Sequence, residues 1–173
     1  MAASRRDAVD ALLEQWSRER PDLDSSPVGV IGRVSRLSRL IDRHLGDNFA
    51  RHGLEAWMYD VLATLRRSGE PYELTAGDLV RQSMVTTGAI TNRVDRLEQR
   101  GLVTRAPGRD RRTVVIRLTR QGHDLVDHVI EGHLETERRL LASLTARQQA
   151  QLTNLLRTVL LELGDLPPGP RPP

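Results

Sequence analysis

LTAGDLVRQSMVTTGAITNRVDRLEQRGLVTRAPGRDRRTVVIRLT, residues 74–119, is the stretch on which the fold turns. Thr75 can cap a short helix running to about Gln82, with Asp78 three residues on at the capping-box position. Residues 83–86 read as a tight turn. A second helix spans about 86–100, and Gly101 closes it, because a helix C-terminus favours a residue that tolerates positive φ. Two β-type runs then flank Pro-Gly-Arg-Asp, the pattern of a hairpin with an exposed loop. Helix, turn, helix and hairpin in this order predict a winged helix-turn-helix: a mainly α fold with a small β-hairpin wing.

Outward from this core the chain is helical. Val9, Leu12, Leu13 and Trp16 recur at helical spacing within residues 7–20. PDLDSSP, residues 21–27, is a turn-rich break. A long helix is expected over 30–52, with Ile31, Val34, Leu37, Ile41, Leu45 and Phe49 in register and Gly53 at its end. The next covers 54–67 and turns Met58, Val61, Leu62 and Leu65 inward. Beyond the hairpin, amphipathic helices are expected over 120–144 and 146–163, before the sequence PPGPRPP. The outer helices carry apolar stripes wider than a thin winged domain covers, so a second copy of the chain is expected to bury them. The expected organisation is an extra N-terminal helix and linker (1–29), a helical dimerisation region (30–53 and 120–163), the winged core (54–119) and a disordered Pro-rich tail (164–173).

Composition narrows the function. The 173 residues contain no cysteine, which excludes disulfides, thiolate catalysis and thiol-based redox sensing. Aromatic residues are 3% of the chain, too few for a platform that stacks unpaired bases. No apolar run reaches signal-peptide or membrane-span length, so a soluble cytoplasmic protein without a membrane partner is expected. All basic side chains other than histidine are Arg. Between Arg81 and Arg120 there are ten Arg against Asp95, Glu98 and Asp110, so this window carries about +7 of a net charge of +3. A basic segment within an otherwise acidic chain points to a polyanion.

The second helix of the core has the face that base readout requires. Projected at about 100° per residue, Ile90, Val94 and Leu97 define a buried side, while Gly88, Asn92 and Gln99 point away from it. Thr91 and Arg96 lie on the flanks. Asn92 can offer a bidentate amide to adenine, and Thr86, Thr87 or Thr91 can meet a thymine methyl or a phosphate. Gly88 permits close approach, and Arg96 suits a phosphate. In the wing, Arg109, Arg111 and Arg112 can enter a minor groove, with Asp110 orienting a neighbouring Arg by hydrogen bonds. Arg93 projects about 60° from the buried side, back toward the protein body, where it needs an acid or an anion. Asp60 is a candidate internal partner, and a planar oxyanion could compete with it.

The stretch from LTAGDL through GAITNRVDRLEQRGLVTR to DRRTVVIRLTRQG resembles the winged core of the MarR (multiple antibiotic resistance regulator) family. The family's D-x-R wing motif falls on Asp110 and Arg112, followed by Ile116, Leu118 and Thr119, and the resemblance covers about residues 30–163. It implies a triangular homodimer, joined through its terminal helices, on a pseudopalindromic double-stranded operator. The extra N-terminal helix is similar to that of the urate-responsive subgroup. The subgroup's ligand residues fall here on Trp16, Asp60, Arg93 and Arg105, which implies a repressor released by a small anionic effector, purine-like or polycarboxylate.

Other functions leave less trace. No Gly-rich phosphate loop, H-E-x-x-H or nucleophile elbow is present, so an enzyme or a bound cofactor is not expected. A metal-responsive regulator of the same fold would need gathered ligands. His123, His128 and His133 recur every five residues, about 140° apart on a helix, rather than on one face. An architectural DNA-binding protein would use the basic wing but has no need of Arg93 and Asp60.

Overall fold

A computed structural model describes residues 6–83, 90–108 and 113–166. The chain divides into two compact units, residues 1–44 and 45–173. Among the described residues the order is α1 (Ala8–Glu19), α2 (Ser26–Ala50), α3 (Ala56–Arg67), β1 (Glu73–Thr75), α4 (Ala76–Gln82), α5 (Ile90–Gln99), β2 (Val103–Pro107), β3 (Val114–Leu118), α6 (Arg120–Leu140) and α7 (Ala146–Glu162).

In the first unit, Asp7 caps α1 through the backbone N–H groups of Val9 and Asp10, and Asp10 completes the capping box. Arg33 of α2 donates to both Asp7 and Asp10. Val9 is buried, and Leu12 and Trp16 are largely exposed. The expected break over 21–27 is shorter than its composition suggests, because α2 already begins at Ser26. Pro27 then occupies the first turn, where its missing N–H costs no helical hydrogen bond. The Asp24 carboxylate accepts the Ser26 N–H at 2.9 Å and secures this start.

The second unit is built around α3. Val61, Leu62 and Leu65 are fully buried with Met58 beside them, as their spacing predicts. Each such burial contributes about 1.5–3 kcal/mol. They pack with Leu79 of α4, Val94 and Leu97 of α5, Leu102, Val103, Ile116 and Leu118 of the wing, and Val126 and Val129 of α6. The sheet is three-stranded, in the order β1-β3-β2, and both pairings are antiparallel. Leu74 and Arg105 face Ile116 from opposite sides. The hairpin was expected from sequence; β1 was not.

Two local features fix the base of the wing. Gly101 ends α5 with φ of +70°, in the left-handed region that glycine enters without steric cost. The Thr119 hydroxyl donates to the Gly101 carbonyl at 2.6 Å and accepts the Gly122 N–H at 3.0 Å, so one side chain joins the end of α5 to the start of α6. Toward the C-terminus, α6 stops at Leu140 rather than near 144, and Thr145 with Gln148 forms the capping box that begins α7. Among the described residues, no helix is long and apolar enough to cross a membrane.

Candidate nucleic-acid interface

The two helices of the core are held differently. At α4, the Thr75 hydroxyl accepts the Asp78 N–H at 3.1 Å and donates to the Asp78 carboxylate at 2.6 Å. Asp78 is buried, and Arg81 also pairs with it. At α5, Val94 and Leu97 are buried and Ile90 partly so, whereas Thr91 and Asn92 are exposed, as the projection predicts. Thr86, Thr87 and Gly88, and the wing residues Arg109, Asp110, Arg111 and Arg112, lie outside the described residues, as does the Pro-rich tail from 167 onward.

Both flanks of α5 are tied to the body. On one flank, the Arg96 guanidinium lies 4.9 Å from the centroid of the Trp57 ring and that of Arg93 lies at 5.6 Å, both within cation–π range. Trp57 Nε1 donates to Glu55 at 2.8 Å, and Arg96 forms an ion pair with the same carboxylate. The Trp57 hydrogen bond and the Arg96 pair hold the Glu55 carboxyl below its ordinary range. On the other flank, Arg105 of β2 pairs with Asp95 and Glu98, and its backbone N–H donates to Glu98 at 3.0 Å. The hydrogen bond to Asp95 raises the Arg105 guanidinium pKa, with both carboxylates adding to the effect.

Of the sequence-predicted ligand residues, Arg93 and Arg105 therefore bracket α5. Asp60 is half-buried on α3, and its backbone carbonyl accepts the Thr64 hydroxyl at 2.7 Å. Trp16 belongs to the first compact unit, where it is half exposed. Arg96, read as a phosphate contact, is engaged with Glu55 and Trp57 while remaining exposed at the surface. Trp57 continues the apolar side of α3 four residues before Val61, so its spacing reads as core and does not announce the two guanidiniums it meets, and Glu55 precedes the helix as an ordinary surface acid. Asp95 and Glu98 are visible as the acids of the basic window, and their i,i+3 spacing places them on one face.

Folding also redistributes the window's charge. Arg81, Arg96 and Arg117 pair with Asp78, Glu55 and Glu73, acids that precede the window in sequence. Arg100 is used structurally, donating to the Gly53 carbonyl at 2.9 Å. The histidines separate: His123 stands edge-on to Tyr72, His128 edge-on to His52, and His133 stacks on Phe49. Among the described residues, no group of three or more metal-ligating side chains is gathered.

Comparison with known proteins agrees with this architecture. Residues 52–113 match the model of the MarR family. The transcriptional regulator PecS of Dickeya dadantii is 43% identical over 152 residues, covering 87% of this chain and 92% of that protein. The chain belongs to the MarR family. It is thus a winged helix-turn-helix transcriptional regulator and not an enzyme. Among solved structures, Sco3205 of Streptomyces coelicolor in complex with DNA has a TM-score of 0.71 at 25% identity, over 79% of this chain and 87% of that one. A mutant of MarR from E. coli complexed with operator DNA has a TM-score of 0.68 at 26% identity, over 84% and 97%.

Proposed function

We propose that this MarR-family protein is a repressor that binds a pseudopalindromic operator as a homodimer and leaves it when a small anion binds. The observation that carries the DNA part is the polarity of α5: Asn92 is exposed opposite buried Val94 and Leu97, with exposed Thr91 on the flank. A recognition helix requires this arrangement in a major groove. Thr86, Thr87 and Gly88 then complete the contacting face, Arg96 takes a phosphate, and Arg109, Arg111 and Arg112 enter the minor groove beside Asp110. The relatives solved with DNA support the same docking.

Dimerisation is supported by two stripes that remain uncovered. Ile31 and Val34 on α2, and Leu155, Val159 and Leu163 at the C-terminal end, are all exposed, and α7 has no buried residue. A second copy of the chain covers them, in the dimerisation region 30–53 and 120–163.

The effector reading rests on Arg93, Arg105 and Asp60, with Trp16 joined to them by the resemblance to urate-responsive regulators. A planar anion, urate or another purine-like compound, draws Arg93 from its present partners, and Arg105, held on the opposite flank of α5, leaves Asp95 and Glu98 to join it as the helix shifts. Asp60 accepts hydrogen bonds from the ligand's N–H groups. Both residues drawn are ties of α5, so the recognition helix is freed to shift and its docking is lost. A differential affinity of about 1–3 kcal/mol between the two helix positions changes occupancy 5- to 150-fold. The ligand must prefer the displaced position, since equal binding to both shifts nothing. The test is operator release by urate, xanthine and citrate from wild type and from Arg93→Ala and Asp60→Ala. Release from wild type but not from the variants is expected. Wild type indifferent to every anion, or variants that respond like wild type, would refute the effector site.

A further inference from the structure

We propose that Trp57 is a positioning residue for base readout: its indole holds Arg93 and Arg96 and so sets the rotation of α5 about its own axis. The inference rests on the DNA-binding reading of α5. Ile90, Val94 and Leu97 form a stripe only about 60° wide, which restrains rotation about the helix axis weakly. Rotation must be opposed from the flanks. With the bisector of Val94 and Leu97 as reference, Arg93 and Glu98 project roughly 70° to either side, and Arg96 and Asp95 roughly 130° to either side. Asn92 lies nearly opposite the bisector. The flank contacts are thus symmetric about the readout direction.

The two flanks differ in chemistry. The β2 flank is made of charge pairs between Arg105 and two carboxylates. The α3 flank is made of one indole under two guanidiniums, with Glu55 closing the edge through Trp57 Nε1 and Arg96. Exposed ion pairs are weak and easily exchanged for a phosphate. A flat ring fixes the plane of approach of both arginines without consuming their hydrogen-bond donors. Arg96 can therefore turn its N–H groups to a phosphate while still resting on Trp57. Equally, an anion that lifts Arg93 from the indole removes half of this flank while Arg96 stays.

The experiment compares a duplex selected from a random pool by the wild-type protein with an unselected duplex of equal length. Trp57→Leu keeps an apolar side chain but loses the π face and the Nε1 hydrogen bond to Glu55. It should bind the selected duplex roughly 5- to 30-fold more weakly, the range for two cation–π contacts, and the unselected duplex as wild type does. Trp57→Phe, which keeps a ring face, should recover most of the preference. Arg93→Gln and Trp57→Leu should also be non-additive on the selected duplex, and Trp57→Met, which likewise lacks a π face, serves both measurements if Trp57→Leu does not fold. Equal losses on both duplexes, or strictly additive losses in the cycle, overturn the positioning role. A wild-type protein that enriches no sequence overturns the DNA-binding reading itself, and this inference with it.

Discussion

Gly122 sits in the first turn of α6 where the helix passes over the base of the wing. A Cβ built there would lie 2.0 Å from the Leu102 carbonyl oxygen and 2.9 Å from its carbon. Both are backbone atoms, so no rotamer change relieves the clash. Reaching ordinary van der Waals separation, 3.4 Å or more, requires α6 and residue 102 to part by about 1.4 Å. Such a movement strains the Thr119 N–H bond to the Leu102 carbonyl, now 3.2 Å, and the two bonds of the Thr119 hydroxyl. It also pulls on the buried Leu102 and Val126. Overpacking of this kind costs about 1–3 kcal/mol. The helix propensity gained by replacing glycine with alanine returns about 1 kcal/mol at most. For a chain of this length each kcal/mol moves Tm by roughly 2–4 °C. A backbone clash this close belongs at the upper end of the overpacking range, about 2 kcal/mol net, so Gly122→Ala should lower Tm by roughly 4–8 °C in thermal unfolding followed by circular dichroism at fixed protein concentration. An unchanged or raised Tm would refute the close packing of α6 on the wing.

Further outcomes are expected from the site and its surroundings. Asn92→Ala should cost about 1–3 kcal/mol on the selected operator and relax preference at one base position per half-site, read by competition binding. Arg111→Ala should weaken binding across sequences and reduce the salt slope by about 1, and an unchanged slope would remove the wing from the contact. Leu155→Glu combined with Val159→Glu should shift sedimentation to the monomer if these exposed residues join two copies. Burial pushes the Tyr59 phenol from 10.0 up to about 12, with Glu137 adding to the shift. The contribution is present below pH 10 and is lost as pH rises through about 12, so Tyr59→Phe should flatten the alkaline fall in stability.

The periodic elements were legible because each reports its own burial. Met58, Val61, Leu62 and Leu65 share one side of α3, and that side is the core. The same projection separated Asn92 from Val94 and Leu97 and turned Arg93 toward the body. Three kinds of feature were not legible. β1 is three residues long, and its partner Arg117 is 44 residues away from Glu73, so no local alternation announces it. The start of α2 was hidden by Pro27, which reads as a breaker unless the helix is known to begin beside it. The neighbours of the arginines depend on tertiary placement. Trp57 lies in the first turn of α3 and Glu55 immediately precedes it, and neither departs from an ordinary helix start in sequence. Arg105 matched a ligand position by resemblance, but its hold on Asp95 and Glu98 depends on how β2 crosses α5.

The carboxylates on Arg81, Arg96, Arg105 and Arg117 bear on how this regulator searches a genome. Attraction to random DNA scales with the number of phosphates neutralised, and each arginine already satisfied at home releases fewer counterions on arrival. A chain that presented every positive charge outward would linger at millions of irrelevant sites. Here four of the window's ten arginines are held back by carboxylates, and the exposed pair of Arg96 with Glu55 costs little to open. Weak attraction of this kind lets a DNA-binding protein slide and dissociate readily. Its grip tightens only where the grooves align well enough for arginines to exchange an internal carboxylate for a phosphate.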